Sequence, residues 1–382
     1  MNKQINKIPK VRFPEFKEEW EHKQLGNIIY KTDKKNKQNL DLPVYSINNT
    51  EGFLPQAEQF EGRSSSERGF DISIYKIIQE NTFAYNPARI NVGSIGYSYN
   101  LKNILISSLY VCFKTNEELN DTFLLQFLET VNFKTSVLRY QEGGVRQYLF
   151  FDSISKIKTN IPILKEQKKI AHFFTTLDKK INQLQQQKSS LEAYKKGMMQ
   201  QLFSQELRFK DENGQDFDDW EEKKLGEVLS IGSGKDYKHL QIGEIPVYGS
   251  GGYMTSVNKY LFNGESVCIG RKGTIDKPLY LNEKFWTVDT LFYTHTFIKI
   301  LPKFVYYIFL VINWKKFNEA GGVPSLSKRI IENISINIAS LPEQTKIANF
   351  LSKIDNKINV VSEQIEETKQ YKKALLQRMF VN

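Results

Sequence analysis

One heptad-patterned segment occurs twice in this chain, and the duplication limits the possible folds more than any other feature. Residues 166–203 recur as residues 343–380, at a constant offset of 177 positions. In both copies apolar residues alternate at spacings of four and three, and neither copy contains proline, a pattern typical of a coiled-coil helix. Each helix would be roughly 55 Å long and would need a partner along one face. The predicted seam residues are Ile170, Phe174, Leu177, Ile181, Leu184 and Leu191 in the first copy and Ile347, Leu351, Ile354, Ile358, Val361 and Ile365 in the second.

The obvious partner of each predicted helix is the other copy. An antiparallel pair would carry the segments that precede the two helices to opposite ends of a rod, related by an approximate two-fold axis. A heptad pattern alone would also suit a simple dimerisation helix, but a duplication of this size favours pairing within the chain. Lys188, Lys195 and Lys372 fall on the seam and would be costly in a dry core, so we expect the packing to loosen there or to be covered by a partner.

A second marker, Trp-x4-Leu-Gly, also occurs twice, at residues 20–26 and 220–226. The segment from the tryptophan of this marker to the following heptad helix spans 146 residues in the first copy and 123 in the second. Because both ends repeat while the middle differs in length, we predict two domains that share one scaffold and differ in content.

Between the Trp-x4-Leu-Gly marker and the heptad helix, three segments of the first copy correspond in the same order to three segments of the second. These pairs are residues 42–46 (LPVYS) with 245–250 (IPVYGS), 81–96 with 265–278, and 142–149 (EGGVRQYL) with 320–327 (AGGVPSLS). Short apolar runs that alternate with glycine-rich turns predict α+β domains with many short strands. The predicted boundaries are an N-terminal arm (1–16), a first domain (17–165), the first heptad helix (166–203), a linker (204–216), a second domain (217–342) and the second heptad helix (343–382).

The composition favours a polyanionic partner and an intracellular location. Fifty-three basic residues against 43 acidic residues give a net charge of +10, which suits binding to nucleic acid. Cys112 and Cys268 lie in apolar, strand-like runs, and we interpret both as buried reduced thiols. The N-terminus has no hydrophobic signal region, and the longest apolar run, 304–312, is too short to span a bilayer. We therefore expect a cytoplasmic protein.

Glycine-rich turns that carry arginine, lysine, asparagine and tyrosine suit the recognition of duplex DNA. Arginine makes bidentate contacts with guanine, asparagine and glutamine serve adenine, and lysine and serine hold phosphates. Any single residue of this kind is more often a solvated loop charge, so the prediction depends on clustering in corresponding turns. The candidate DNA-binding residues are Arg63, Arg68, Arg89, Asn91, Arg139, Arg146, Gln147 and Tyr148 in the first domain and Lys235, Tyr248, Ser250, Arg271, Lys272, Ser325, Lys328 and Arg329 in the second.

The familiar catalytic templates fail in this sequence. Residues 232–235 suggest a phosphate-binding loop, but Leu229 stands where the first glycine is required and Asp236 where serine or threonine is needed. The four histidines are scattered, and there is neither an H-E-x-x-H motif nor a pair of closely spaced cysteines. We therefore predict no catalytic residue and no metal ligand.

Several motifs together carry a resemblance to a known family. They are the Glu-Gln-x-x-Ile-Ala starts of the heptad segments, at residues 166–171 and 343–348, and the turns YNPARINVGSIG (85–96) and GRKGTI (270–275). With the duplicated architecture, they make nearly the full chain resemble the specificity subunits of type I restriction-modification systems. The resemblance implies an α+β protein with two tandem target recognition domains separated by two long conserved helices, which form an antiparallel coiled coil with pseudo-two-fold symmetry.

The same resemblance implies a function and partners. Each target recognition domain would recognise one half-site of a bipartite site in double-stranded DNA, and the helix pair would fix the spacer, since DNA advances about 34 Å per turn. Subunits of this family are not enzymes, so this chain would hold no cofactor. Two modification (methyltransferase) subunits would methylate adenine with S-adenosylmethionine. Restriction (endonuclease and translocase) subunits would join through them and use ATP and Mg. No membrane partner is implied.

Two alternatives stay open. The chain could be a self-contained DNA methyltransferase or nuclease with unrecognised motifs, although it lacks an F-x-G-x-G-like methyl-donor loop. Residues 86–89 (NPAR) lack the second proline and the aromatic residue of a D/N-P-P-Y/F catalytic tetrapeptide. The chain could also be a coiled-coil adaptor that binds only protein, in which case it would have no sequence-dependent affinity for DNA.

Overall fold

The chain forms two compact units in the computed structural model, which describes residues 8–59 and 69–381. Unit 1 comprises Met1–Leu184 and Gln364–Asn382, and unit 2 comprises Gln185–Glu363. Each unit therefore contains one predicted domain, the first half of the heptad helix that follows this domain, and the second half of the other heptad helix.

Unit 1 combines short strands with short helices. The strands are β1 (Glu21–Gln24), β2 (Ile29–Thr32), β3 (Val44–Asn48), β4 (Gly52–Pro55), β5 (Lys76–Ile78), β6 (Phe83–Tyr85), β7 (Ile95–Tyr97), β8 (Ile104–Ile106), β9 (Val111–Thr115) and β10 (Lys158–Ile161). The helices are α1 (Gln56–Gln59), α2 (Asp121–Leu128), α3 (Val131–Tyr140), α4 (Phe151–Ser155) and the first half of α5 (Leu164–Phe203). Two four-stranded sheets have the orders β2-β9-β6-β7 and β4-β3-β8-β5, and β1 pairs with β10.

Unit 2 repeats this plan with longer strands. They are β11 (Glu221–Lys224), β12 (Ser230–Ser233), β13 (Ile242–Gly249), β14 (Gly252–Val257), β15 (Phe262–Gly270), β16 (Leu279–Thr287), β17 (Leu291–His295) and β18 (Ser335–Ile338). The helices are α6 (Leu225–Val228), α7 (Pro302–Val311), α8 (Lys328–Glu332) and the first half of α9 (Leu341–Met379). Six strands form one sheet, β12-β17-β15-β16-β13-β14, and β11 pairs with β18.

Local sequence signals set several helix starts, and the apolar faces of these helices close the cores. Asn120 caps α2 and Thr130 caps α3, each accepting a hydrogen bond from the backbone N–H three residues ahead. Pro302 occupies the first turn of α7, where its missing N–H costs nothing. The core of unit 1 joins aromatic residues of the sheet to those of α2, namely Phe83, Tyr85, Phe113, Phe123 and Phe127.

Helices α5 and α9 run antiparallel where they pack inside each unit. In unit 1, Ile170 and Phe174 near the start of α5 share a buried cluster with Leu376 and Met379 near the end of α9. In unit 2 the end of α5 packs on the start of α9, through Met199, Leu202, Ile347 and Leu351. The predicted fold class, α+β with two tandem domains and two long antiparallel helices, is therefore confirmed. Among the described residues, no helix is both long and apolar enough to cross a membrane.

The predicted seam residues mostly face the interior. Leu177, Leu191 and Ile358 are half-buried, and the other nine are buried. Both helices begin two residues before the predicted starts, at Leu164 and Leu341. The seam thus follows the heptad register that the sequence predicts.

Two of the three seam lysines are paired with carboxylates at 2.9 Å or less, whereas Lys188 lies 3.9 Å from Glu192, one turn further along its own helix. In unit 1, the Lys372 ammonium lies 2.7 Å from Asp178 of α5 and 2.9 Å from Glu129. In unit 2, the Lys195 ammonium lies 2.5 Å from Asp355 of α9. The pairs Lys195–Asp355 and Lys372–Asp178 are equivalent, because both members are offset by 177 positions. Ion pairing is therefore how the fold accommodates a lysine at these seam positions.

Candidate nucleic-acid interface

A buried glutamate fastens each domain to the start of its long helix. Glu166 of α5 is fully buried and accepts hydrogen bonds from Arg12 Nε (2.8 Å) and Arg12 Nη2 (2.7 Å), and from Trp20 Nε1 (3.3 Å). This bond to Glu166 raises the pKa of Arg12 above its ordinary value. A charge-assisted bidentate contact of this kind is strong and directional, so it explains why tryptophan and glutamate recur together.

We call this contact between a buried glutamate, an arginine and a tryptophan the joint of the unit. Unit 2 has an equivalent joint, but its arginine comes from a different part of the chain. Glu343 is fully buried and accepts hydrogen bonds from Arg208 Nη2 (2.9 Å) and Trp220 Nε1 (3.0 Å). Arg12 belongs to the segment before the first domain, whereas Arg208 belongs to the segment between α5 and the second domain. Gln344, the residue after the glutamate, also bonds to the domain. Its side-chain amide donates to Ala339 O (2.8 Å) and accepts from Leu301 N (2.8 Å).

Gln167 makes the same contacts in unit 1. Its Nε2 donates to the carbonyl oxygens of Glu118 and Pro162, both at 2.9 Å, and its Oε1 accepts from Asn120 N at 2.8 Å. The side chain thereby holds the start of α2, just as Gln344 holds the start of α7. The Glu-Gln motif therefore has a structural role in both units, because it links the start of each long helix to the domain before it.

Three loops of unit 1 contact one another. Gly93 has a φ of +92°, and a Cβ atom at this position would lie 3.1 Å from the carbonyl oxygen of Asn49, so only glycine suits this approach. The backbone N–H of Leu149 donates to Pro87 O at 3.0 Å. We call this group loop cluster 1, and it comprises residues 49–51, 86–93 and 142–149.

Three corresponding loops meet in unit 2. Gly273 has a φ of +85°, and a Cβ atom here would lie 3.3 Å from Ser250 Oγ. The backbone N–H of Leu326 donates to Arg271 O, and that of Gly273 donates to Pro324 O, both at 2.9 Å. We call this group loop cluster 2, and it comprises residues 250–251, 271–273 and 319–326. The segment pairs that correspond in sequence are thus assembled in the same way in both units.

Loop cluster 1 holds most of the candidate residues of the first domain. Arg89 and Asn91 are exposed on the second loop, and Arg146 is exposed on the glycine-rich loop. The Gln147 amide donates to Gly143 O and Gly144 O (2.7 and 3.2 Å), so it shapes the loop. The remaining candidates are Tyr148, which stacks on Phe150 with ring centroids 5.7 Å apart, Arg139 in the last turn of α3, and Arg63 and Arg68, which lie outside the described residues.

Four candidates of the second domain line one cleft of about 420 Å³, three of them from loop cluster 2 and the fourth, Lys328, from the start of α8: Arg271, Lys272, Ser325 and Lys328. Ser250 lies beside Gly273 in the same cluster. Ser233 and Ser327 also line this cleft. Neither is among the candidates predicted from the sequence, because serine in a loop is too common to be informative alone.

The other three candidates of the second domain lie apart from the cleft lining. Lys235 is exposed two residues after the end of β12, and Arg329 is exposed on α8. The Tyr248 hydroxyl donates to Glu283 Oε1 at 2.9 Å. Partial burial and this bond raise the pKa of Tyr248 to about 12, so the phenol stays a neutral donor at physiological pH.

Both clusters carry exposed cations: loop cluster 2 has a net positive charge, from Arg271 and Lys272 against Glu319, whereas Glu51 and Glu142 balance the two arginines of loop cluster 1. Within residues 8–59 and 69–381, no carboxylate lies at ion-pair distance from Arg89, Arg146, Lys272 or Lys328. The glycine-rich loops also carry an exposed valine in both units, Val145 and Val323. No group of three or more histidine, cysteine or acidic side chains in the described part of the chain is arranged to hold a metal ion. These surfaces can contact an anionic polymer, and the arrangement suits binding.

Comparison with known proteins defines the class of this duplicated molecule. The family model of the type I restriction modification DNA specificity domain matches residues 17–193 and 217–370, which is most of the chain. The chain therefore belongs to the family of type I restriction-modification specificity subunits, whose role is DNA sequence recognition.

Individual relatives agree with this assignment. The type I restriction enzyme MjaVIII specificity subunit of Methanocaldococcus jannaschii is 27% identical over 318 residues, covering 72% of this chain and 73% of that protein. The putative type I restriction enzyme MjaX specificity subunit of the same organism is 24% identical over 416 residues, covering 96% and 94%. The crystal structure of the type I S subunit from M. genitalium shares the fold, with a TM-score of 0.65, 16% identity and coverage of 98% and 99%.

Proposed function

We propose that this specificity subunit recognises a bipartite site in double-stranded DNA, with loop cluster 1 contacting one half-site and loop cluster 2 the other. The observation that carries the proposal is the duplication of the cluster. The same three loops meet in each unit, with glycines of positive φ at corresponding places, while the exposed side chains on them differ. A protein with two copies of one binding scaffold and different contact residues is suited to two different half-sites.

The side chains of the clusters match the chemistry of base recognition. The Arg89 guanidinium can form two parallel hydrogen bonds with O6 and N7 of guanine, and the Asn91 amide can pair with adenine. Arg146 and Lys272 stand on short loops whose backbone is held by hydrogen bonds, so little ordering is needed before contact with DNA.

We further propose that the chain directs chemistry carried out by partner subunits. Two modification subunits would bind S-adenosylmethionine and methylate adenine at the recognised site. Restriction subunits that use ATP and Mg would join through them. Membership of the family supports this role. A second solved structure, described in terms of complex assembly of the type I R-M system, has a similar fold, with a TM-score of 0.56, 15% identity and coverage of 96% and 98%. Adenine must leave the duplex to be methylated, so a subunit that holds the flanking half-sites would leave the target base to its partner.

Replacement of Arg89 tests the assignment of half-sites. Arg89→Ala should weaken recognition at one base pair of one half-site by about 1–3 kcal/mol, since a bidentate contact contributes that much discrimination. The measurement is sequencing of methylated adenines in cells that express the variant with its modification and restriction partners.

Arg378→Ala is the matched control, because Arg378 is also an exposed arginine of unit 1 but lies near the end of α9. It should leave the methylated sequence unchanged. Equal relaxation of both half-sites in Arg89→Ala would contradict the assignment of one half-site to each cluster. Absence of any subunit-dependent methylation would contradict the proposed function itself.

A further inference from the structure

The cleft of unit 2 has the composition of a phosphate site. Its walls come from the end of β12, the turn after β15 and the loop that leads into α8. We call it the basic cleft, and it is lined by three cations and three hydroxyl groups: Arg271, Lys272, Lys328, Ser233, Ser325 and Ser327. Phosphate oxygens are held in proteins by this mixture of cationic donors and hydroxyls.

The backbone beneath these side chains is fixed. Lys272 and Ser325 face each other in an antiparallel bridge. Arg271 N donates to Thr290 O at 2.8 Å, and Ser325 N donates to Asn318 Oδ1 at 2.9 Å. Binding in the cleft would therefore order only side-chain ends, which keeps the entropic cost small.

The positive charge in the cleft is not neutralised by the protein. Glu319 is the single carboxylate among the lining residues, and the described part of the chain places no ion pair on Arg271, Lys272 or Lys328. The Arg271 guanidinium makes one long contact, from Nη1 to Asp289 O at 3.4 Å. Three cations around one cavity repel each other, and a bound anion would relieve that repulsion.

At the corresponding place, the described part of unit 1 carries different side chains. The bond from Leu149 N to Pro87 O corresponds to the bond from Leu326 N to Arg271 O, and α4 and α8 begin two residues after these leucines. This register places Pro87, Ala88, Tyr148, Phe150 and Phe151 where unit 2 has Arg271, Lys272, Ser325, Ser327 and Lys328. Apolar and aromatic residues thus replace every cation and two of the hydroxyls.

We infer that the basic cleft binds one phosphate of the DNA backbone beside the second half-site, and that the first half-site is held without this contact. The inference rests on the proposed function. Phosphate contacts set position and affinity and carry no sequence information. The cleft would therefore strengthen binding to the second half-site uniformly, whatever bases are present, and would make the binding more sensitive to salt.

The test removes the two lysines and measures salt dependence. The variant Lys272→Gln with Lys328→Gln is compared with wild type in the complex of the full chain with its modification subunits. The ligand is a duplex that carries the methylated site. Since each phosphate contact contributes about 0.9 to the slope of log affinity against log salt, the double variant should lose about one unit of slope. Affinity at low salt should fall by roughly tenfold, and the recognised sequence should not change.

Two further variants make the result specific. Lys353→Gln with Lys357→Gln removes the same charge from an exposed face of α9 in unit 2 and should keep the wild-type slope. Lys272→Arg with Lys328→Arg keeps both charges and should restore the slope. A slope unchanged in the Gln double variant would overturn the inference, and so would a change in the recognised bases, which would mean base contact. If wild type itself showed no sequence preference for DNA, the proposed function would fail as well.

Discussion

In both units the domain is attached to its long helix by an equivalent joint, whereas the sheets and loops beyond the joint differ. In both joints a tryptophan and an arginine converge on a buried glutamate. Beyond the joint, unit 2 has one continuous strand, β16, which pairs with β15 over residues 279–285 and with β13 at residues 286–287. Unit 1 divides the corresponding path into β7 and β8, so its strands form two sheets.

A turn with left-handed residues explains this division. Asn100 and Asn103, both with positive φ, lie between β7 and β8, and asparagine tolerates that conformation better than most residues. The Ser98 hydroxyl donates to Gln79 O at 2.7 Å and stabilises the bend. The parallel pairing nevertheless persists, since Val44 with Leu105 and Val247 with Trp286 occupy corresponding positions. Repetition is therefore strict at the buried polar joints and in the parallel strand pair, while the rest of the sheet differs between the units.

The largest expected effect comes from breaking the joints. Glu166→Ala should lower the free energy of unfolding by about 3–5 kcal/mol, because it leaves a buried guanidinium and an indole N–H without their acceptor. Glu343→Ala should cost less, since the Arg208 side chain is 21% exposed and that of Arg12 only 10%. Chemical denaturation of the two variants beside wild type measures the difference.

Glu166→Gln and Glu343→Gln serve as matched controls, because glutamine keeps the shape of the glutamate side chain and one acceptor oxygen but lacks its charge. Each should recover part of the loss seen for alanine. A larger loss at position 343 than at position 166 would contradict the ranking of the two joints and would indicate that exposure of the arginine does not set the strength of the contact.

An intermediate effect is expected at the glycine of the Trp-x4-Leu-Gly marker. A Cβ atom at Gly26 would lie 2.9 Å from Ser155 Cβ, and one at Gly226 would lie 3.0 Å from Glu332 Cβ. Gly26→Ala and Gly226→Ala should each lower the free energy of unfolding by about 1–2 kcal/mol, since α4 or α8 must shift to make room. The same denaturation measurement checks both variants.

Gly144→Ala is the control for these two variants, because open space surrounds that position. It should change stability by less than about 0.5 kcal/mol. Nearly equal losses at positions 26 and 226 would confirm that the joints are packed alike. Tolerance at one of them would show that its short helix moves freely and that the repeated scaffold is weaker in that unit.

Repetition in the sequence predicted the long helices, the two-domain α+β architecture and the correspondence of the loops. These features depend on apolar periodicity and on glycine positions, which are visible residue by residue. The helix starts differ from prediction by only two residues, because Leu164 and Leu341 extend the first turn.

Contacts between distant segments could not be predicted in this way. Arg12 and Arg208 are ordinary basic residues in polar segments, and only the fold places them on Glu166 and Glu343. The basic cleft likewise joins residues that are 95 positions apart, from Ser233 to Lys328. Whether a seam lysine meets solvent or a carboxylate also depends on the facing helix, so the position of a lysine in the heptad gives no signal.

The smallest expected effect distinguishes Lys195 and Lys372, the two seam lysines that lie 2.9 Å or less from a carboxylate. Lys372→Met should destabilise the chain by about 1 kcal/mol and Lys195→Met by less, because Lys372 contacts two carboxylates and Lys195 one. Burial lowers the pKa of Lys372, but Glu129 and Asp178 more than offset it, and the pKa lies above its ordinary value. Equal losses for the two variants would mean that the second carboxylate adds nothing to the pair.

The sign of the pH dependence follows from that shift. A raised pKa means that the charged lysine stabilises the fold fully below its unfolded pKa of about 10.4, and that this contribution is lost as pH rises through the folded pKa. The difference in unfolding free energy between wild type and Lys372→Met, measured by denaturation across a pH series, should therefore be constant from pH 7 to about 9.5 and shrink at higher pH. A difference that grows with pH would mean that the lysine is not stabilised by its carboxylates.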